Sequence, residues 1–114
     1  MNVTIWHNEA CSKSNAALTY LENKNLNIRI IKYLENTPSI LEIENFLKLS
    51  GMKAKDLFRS TEALYEELKI VSILDEKELI SILNANATLI QRPVIITENA
   101  AVLARPFEKL SDLI

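Results

Sequence analysis

Two short segments rich in β-branched residues lie near the start of the chain, with a helical segment between them. The first, residues 2–6, contains valine, threonine, isoleucine and tryptophan, which favours a strand. The second, residues 28–31, contains three isoleucines and favours another strand. The order of strand, helix and strand normally forms a right-handed crossover between parallel strands, with the helix covering one face of the sheet. Residues 12–23 supply that helix through apolar side chains at helical spacing, namely Ala16, Ala17, Tyr20 and Leu21.

The middle of the chain, residues 38–86, has a helical pattern. Thr37 precedes a proline and is typical of a helix start, and Gly51 is typical of a helix end. Asp75, with a glutamate three residues later, resembles a capping box and predicts a further helix. The apolar residues expected to face the core of this segment are Ile40, Leu41, Phe46, Leu47, Leu64, Tyr65 and Leu68.

The last part of the chain predicts a hairpin followed by a helix. Two β-rich runs, residues 94–97 after Pro93 and residues 101–104, flank a turn at Glu98 and Asn99. Pro106 fits the first turn of a closing helix, whose apolar positions are Phe107, Leu110 and Leu113. We therefore predict an α/β fold in a single domain, residues 1–114, with a mixed sheet flanked by helices and a helical insertion at about residues 38–86.

The residue composition excludes several classes of site. With one glycine among 114 residues, the chain has no glycine-rich loop that could hold a phosphate. One cysteine cannot form an internal disulfide or a cysteine metal site, and one histidine cannot complete a histidine metal site. We therefore predict neither a metal ion nor a bound cofactor.

Charge and hydropathy exclude two kinds of partner. The 13 basic and 15 acidic residues are dispersed and give a formal net charge of −2, so no basic patch for a nucleic acid is expected. The longest apolar run, residues 100–104, is far shorter than the ~20 residues that cross a bilayer, and no basic region followed by an apolar stretch opens the chain. We predict a cytoplasmic protein, in which a lone thiol stays reduced, with neither nucleic acid nor membrane as a partner.

Cys11 lies between the first predicted strand and the first predicted helix. Unpaired backbone N–H groups and the positive end of the helix dipole stabilise an anion at such a position. A helix N-terminus commonly lowers the pKa of a thiol enough to populate the nucleophilic thiolate at neutral pH. The alternative interpretation is that Cys11 is a small buried hydrophobic residue, as an isolated intracellular cysteine usually is.

The segment His7–Ser14, with the sequence HNEACSKS, resembles the His-Asn-Pro-x-Cys-x-x-Ser motif of the ArsC family of glutaredoxin-coupled arsenate reductases. Arg59, Arg92 and Arg105 match by local context the arginines associated with oxyanion binding in that family. The order of the predicted elements is also similar to that of the family. The resemblance covers nearly all 114 residues and implies a thioredoxin-like fold, with the insertion between its βαβ and ββα units.

The resemblance implies roles for these residues. Cys11 would be the nucleophile that attacks arsenate, and Arg59, Arg92 and Arg105 would neutralise the oxygens of the substrate. His7 would either stabilise the thiolate when protonated or orient the loop through a hydrogen bond. A histidine that packs at the strand end or faces solvent is an equally weighted alternative.

Two further residues have a structural and a functional interpretation. Ser14 would donate a hydrogen bond to the sulfur, or satisfy backbone groups in the first helical turn. Pro93 is similar to the proline before a thioredoxin-fold strand that is cis in related folds and shapes the wall facing the cysteine. The alternative for Pro93 is an ordinary trans proline at the start of a strand.

The sequence departs from the family motif at two positions. Glu9 stands where the motif commonly has proline, and Asn15 stands where an arginine often follows the serine. A Glu9 carboxylate that faced the pocket would raise the pKa of Cys11 and repel an anion. We expect Glu9 to be an exposed loop side chain instead.

The resemblance implies an arsenate reductase of the cytoplasm that acts as a monomer. Glutathione would serve as thiol cosubstrate, glutaredoxin would be the electron donor, and arsenite would be released in arsenic detoxification. Two alternatives remain on the same scaffold. One is a redox-responsive regulator similar to the Spx branch, which contacts RNA polymerase, although Ser14 replaces the second cysteine common there. The other is a glutathione-dependent thiol enzyme that acts on a different substrate.

Overall fold

Four strands form one mixed sheet in the computed structural model, which describes all of residues 1–114. The strand order is β2-β1-β3-β4, with β1 and β2 parallel and β3 antiparallel to both β1 and β4. The predicted α/β fold with its mixed sheet is therefore confirmed. The strands are β1 (Asn2–His7), β2 (Asn27–Lys32), β3 (Val94–Ile96) and β4 (Ala101–Leu103).

Five α-helices connect and cover these strands. The first joins β1 to β2, three lie between β2 and β3, and the last follows β4. The segment at residues 38–86 is less regular than predicted, because short 3₁₀ turns and extended residues separate its helices. The helices are α1 (Ser12–Glu22), α2 (Ile40–Ser50), α3 (Ala63–Glu67), α4 (Glu76–Ala85) and α5 (Glu108–Leu113), and the 3₁₀ turns are Ala54–Leu57, Ile70–Ser72 and Ala87–Leu89.

Apolar side chains fill a core on each face of the sheet. Successive side chains of β1 point to opposite faces, so Ile5 enters one core and Trp6 the other. The core with Ile5 lies against α1 and α5, where Ala17 and Leu110 are buried. The larger core is formed with the helical segment between β2 and β3, and the rings of Trp6 and Phe46 are 5.8 Å apart there. None of the helices has the length and apolar character needed to cross a bilayer.

Several residues predicted to face the core are exposed instead. Helix α2 packs through Ile43, Phe46 and Leu47, which leaves Ile40 and Leu41 on its outer side. Other residues predicted to face the core are also exposed, because each helix buries at most one side. The further residues that were wrongly placed in the core are Ala16, Leu68 and Phe107.

The helix starts also differ from those predicted. Ser39 rather than Thr37 begins α2, because the Ser39 hydroxyl accepts from the Glu42 N–H while the Glu42 carboxylate accepts from the Ser39 N–H. Asp75 caps α4 by accepting from the N–H of Lys77. Pro106 lies before α5 rather than in its first turn.

Gly51 ends α2 in the left-handed conformation, with a φ of +74°. No heavy atom lies within 4 Å of the position that a Cβ would take, so a new side chain there meets no steric clash. A substitution is unfavourable only because the backbone is in the left-handed conformation. Gly51→Ala should lower the free energy of unfolding by about 1–2 kcal/mol. Gly51→Asn should lose less, because asparagine adopts this conformation more readily. Urea denaturation measures both changes, and an alanine variant as stable as the native chain would contradict this account.

Candidate functional site

A tight loop between β1 and α1 places Cys11 at the helix start. The Asn8 side-chain oxygen accepts from the Ala10 N–H at 3.0 Å, and the Asn8 carbonyl accepts from the Cys11 N–H at 3.0 Å. Cys11 is extended, with φ −101° and ψ 119°, and its carbonyl accepts the first helical hydrogen bond from Asn15. The residue is 8% exposed, so its surroundings cover it without sealing it in the core. Sequence reasoning did not assign Asn8 a role, although asparagine is a common residue in such turns.

His7 and Ser14 form a buried pair beneath this loop. His7 Nδ1 and Ser14 Oγ are 2.6 Å apart, and the same hydroxyl accepts from the Asn8 N–H at 3.1 Å. Burial lowers the pKa of His7, with Lys32 also lowering it and Glu9 raising it. At neutral pH the imidazole is therefore uncharged, which supports its predicted role in orienting the loop rather than that of a cation beside the sulfur.

The Ser14 hydroxyl forms no hydrogen bond to the Cys11 sulfur, which was one of its two predicted roles. Its two hydrogen bonds go to His7 and to the backbone of Asn8. The backbone N–H of Ser14, rather than its hydroxyl, acts on Cys11. Ser14 thus joins the strand end to the helix start.

Arg92 and Arg105 converge on the Cys11 sulfur from the opposite end of the sequence. Arg105 Nη2 lies 4.0 Å from Cys11 Sγ, and Arg105 Nε donates to the Arg92 carbonyl at 2.6 Å. The Arg92 guanidinium is close enough to the sulfur to lower the pKa of Cys11. Pro93 is buried next to Arg92, and the Arg92–Pro93 peptide bond is cis, as is Arg105–Pro106.

These groups set the pKa of Cys11. Burial alone would raise it, but hydrogen bonds from Arg92 and from the backbone N–H groups of Ser14 and Lys13, together with the charge of Arg92, outweigh that effect. The resulting pKa is about 7. About half of the Cys11 population is therefore thiolate at neutral pH.

The rate of Cys11 alkylation by iodoacetamide should follow this ionisation. Because the thiolate is the nucleophile and its pKa is lowered, the rate should rise with pH, with its midpoint at about pH 7, and then level off. The same chain unfolded in urea is the matched control, and its midpoint should lie near pH ~8.5. Equal midpoints for the folded and unfolded chains would show that the site does not activate the thiol.

Arg59 is the predicted arginine that the structure does not bring to the sulfur. Its guanidinium forms an ion pair with Glu62 at 2.9 Å. Its backbone N–H donates to the Leu89 carbonyl at 2.7 Å, which anchors it beside the segment that leads to Arg92. One guanidinium nitrogen of Arg59 is therefore engaged by a carboxylate rather than by the site.

The two departures from the motif both face the outside of the loop. The Glu9 carboxylate pairs with Lys32 at 3.0 Å and is mostly exposed, as expected. The hydrogen bond to Glu9 raises the pKa of Lys32. The Asn15 side-chain amide donates to the Glu9 carbonyl at 2.9 Å and so fastens the loop to α1. Neither side chain opposes a negative charge at Cys11.

Tyr33 is a site residue that sequence reasoning missed. It follows β2 directly and is fully buried, and its phenol interacts with Arg92 and with the side chain of Asn8. Because Lys32 pairs with His7 in the parallel strands, Tyr33 lies beside the start of the loop that carries Cys11. The available signal was therefore the register of the two predicted strands, because the carboxyl ends of parallel strands share one sheet edge.

A cysteine with a lowered pKa at the start of α1, together with a cis-proline directly before β3, defines a thioredoxin-like protein with an activated thiol. Residues 6–113 match the model of the ArsC family. The chain belongs to the ArsC family.

Relatives in this family resemble the chain along its whole length. Over 114 residues it is 33% identical to the uncharacterized protein YfgD of Escherichia coli (strain K12), covering 98% of this chain and 96% of that protein. It is 33% identical over 110 residues to an arsenate reductase of Neisseria meningitidis, covering 95% and 94% of the two chains. The solved structure of an arsenate reductase from Vibrio cholerae has a TM-score of 0.93 at 34% identity, covering 100% of this chain and 98% of that one.

Proposed function

We propose that this protein is an arsenate reductase in which Cys11 is the nucleophile. The observation that carries the proposal is the position of the Cys11 sulfur, which has a pKa of about 7 and faces the guanidinium groups of Arg92 and Arg105. A thiolate beside two fixed cations suits attack on an oxyanion, since the cations neutralise charge on the substrate as the nucleophile approaches. Family members named arsenate reductases support arsenate as that oxyanion.

The first step is substitution at arsenic without a change of oxidation state. The Cys11 thiolate attacks monoanionic arsenate, a sulfur–arsenic bond forms, and one arsenic–oxygen bond breaks. The departing oxygen takes both protons of the arsenate and leaves as water. The adduct carries two negative charges, which Arg92 and Arg105 offset.

The second step transfers two electrons and requires an external thiol, since the chain has a single cysteine. The sulfur of glutathione bonds to the Cys11 sulfur, and the electron pair of the sulfur–arsenic bond stays on arsenic. The glutathione proton passes to the departing oxyanion, which leaves as arsenite. Glutaredoxin then reduces the mixed disulfide on Cys11 and restores the thiol.

A cleft beside Arg105 offers a place for the glutathione. Its volume is ≈ 330 Å³, and Lys13 and Arg105 supply cations to it, with Ala16, Ala104, Pro106 and Phe107 as the other lining residues. Glutathione has two carboxylates that complement these cations. Because the described site residues all come from one chain, we propose the monomer as the functional unit, in the cytoplasm, where thiols are kept reduced.

The test is arsenite production by the purified protein with glutathione, glutaredoxin and a system that regenerates them. We expect arsenite formation that depends on arsenate, on glutathione and on glutaredoxin. A protein that forms no arsenite but co-purifies with RNA polymerase would instead support the Spx-like role. Turnover of a glutathione conjugate in place of arsenate would identify the other thiol enzyme.

A further inference from the structure

Two buried side-chain polar atoms form no hydrogen bond of standard geometry, and Cys11 acts on the ionisation of both side chains. They are the hydroxyl of Tyr33 and Nε of Arg92. Buried polar groups in folded proteins are nearly always paired, because an unpaired one loses its hydrogen bonds to water without replacement. A ligand that accepts hydrogen bonds could satisfy both donors at once.

The backbone fixes the position of the Tyr33 hydroxyl. Tyr33 follows the last residue of β2, which pairs with His7 of β1, so it lies beside Asn8 at the entrance of the loop. Its ring is fully buried in the core that contains Trp6 and Val94. A ring held in this way cannot turn its hydroxyl out to solvent.

The hydroxyl also lies among groups that belong to the site. Arg92 and the Asn8 side chain approach the phenol closely enough to lower its pKa by hydrogen bonding, although neither contact has standard geometry, and the charge of Cys11 raises it. Burial raises the pKa of Tyr33, although Arg92 and Asn8 oppose that effect. The phenol is therefore neutral at physiological pH and keeps the proton that it would donate.

We propose that the Tyr33 hydroxyl donates a hydrogen bond to the oxyanion bound at Cys11, beside a second hydrogen bond from Arg92 Nε. This rests on the proposed function for the identity of the oxyanion as arsenate. A tetrahedral oxyanion has several acceptor oxygens, so one can face Tyr33 while others face the guanidinium groups. Tyr33 is then a substrate-binding residue that donates a hydrogen bond to a substrate oxygen and adds no charge to the site.

The variant Tyr33→Phe removes the hydroxyl and keeps the buried ring. Because hydrogen bonds to charged groups are strong, arsenate should protect Cys11 from iodoacetamide about tenfold more weakly in the variant, and kcat/KM for arsenate should fall about tenfold or more. Removing an unpaired buried hydroxyl should leave the midpoint of thermal unfolding unchanged or raise it. A merely structural hydroxyl would instead lower that midpoint.

Tyr20→Phe is the matched control. Tyr20 lies in the second half of α1, where its ring contacts Phe107 and Lys24, so its hydroxyl is remote from the start of the helix. This variant should keep both the arsenate protection and the turnover of the native protein.

The outcomes separate this inference from the proposed function. Weaker protection in Tyr33→Phe, in a protein that produces no arsenite, would support the Tyr33 contact and overturn the arsenate reductase proposal. Native protection and turnover in Tyr33→Phe would overturn the Tyr33 contact and leave that proposal standing. A destabilised Tyr33→Phe variant, or a native protein that arsenate does not protect, would also overturn the Tyr33 contact.

Discussion

Cys11→Ser should reduce arsenate turnover by a factor on the order of 10⁴ or more, to the background of the assay. A serine hydroxyl is not ionised at neutral pH, so the nucleophile is lost although its position is kept. Serine is also a favourable residue at a helix start, and the variant should therefore retain α1 and the native fold. The measurement is arsenite formed per protein in the presence of glutathione and glutaredoxin.

Ser12→Ala is the control for this change, because Ser12 is the exposed neighbour of Cys11 in the first turn of α1. It should keep native turnover. Circular dichroism of Cys11→Ser should match that of the native chain, so that loss of activity is not attributed to unfolding. Substantial turnover by a folded Cys11→Ser protein would exclude Cys11 as the nucleophile.

Arg92→Met should have the second largest effect, and it should act on two observables together. Without the Arg92 guanidinium, burial is opposed by the backbone N–H groups and Arg105 alone, so the pKa of Cys11 should rise from about 7 toward its ordinary value. The adduct would also lose a charged donor, and kcat/KM for arsenate should fall by roughly 10²–10³-fold. Alkylation rates against pH measure the first change, and initial rates of arsenite formation measure the second.

Two further variants test the interpretation of Arg92. Arg92→Lys keeps the charge without the planar pair of donors, so its loss of kcat/KM should be intermediate. Arg29→Met removes an exposed arginine of β2 and should leave the pKa of Cys11 and the turnover unchanged. An Arg92→Met protein with a native Cys11 pKa would show that Arg105 and the helix backbone suffice to activate the thiol.

The fold was largely predictable because its elements follow from local patterns. Isoleucines in β2 and the apolar spacing of α1 are visible in the sequence, and their order determines the crossover. Side-chain burial was less predictable, since α2 is apolar on more than one side and only packing selects Phe46 over Leu41. Its start was misplaced for a similar reason, because Thr37 and Ser39 can both cap a helix and Ser39 has Glu42 as its reciprocal partner.

The site was predictable as far as its motif extends. The resemblance identified Cys11, and the structure brings Arg92 and Arg105 to it across more than 80 residues of sequence. The position of the Arg59 guanidinium could not be predicted, because the sequence does not show which nearby carboxylate it pairs with, and in the structure it pairs with Glu62. Tyr33 was overlooked because an aromatic residue after an apolar strand is typical of core, although the register of the two strands places it at the edge of the site.

The site combines a thiol from the start of the chain with cations from its far end. Cys11 is synthesised early, whereas Arg92 and Arg105 are synthesised only after β2 and the helical segment. Until β3 pairs with β1, the sulfur lacks both guanidinium neighbours, and only the backbone N–H groups at the start of α1 can lower the pKa of Cys11. Activation of the thiol therefore depends on the pairing of β3 with β1 as well as on the loop that holds Cys11.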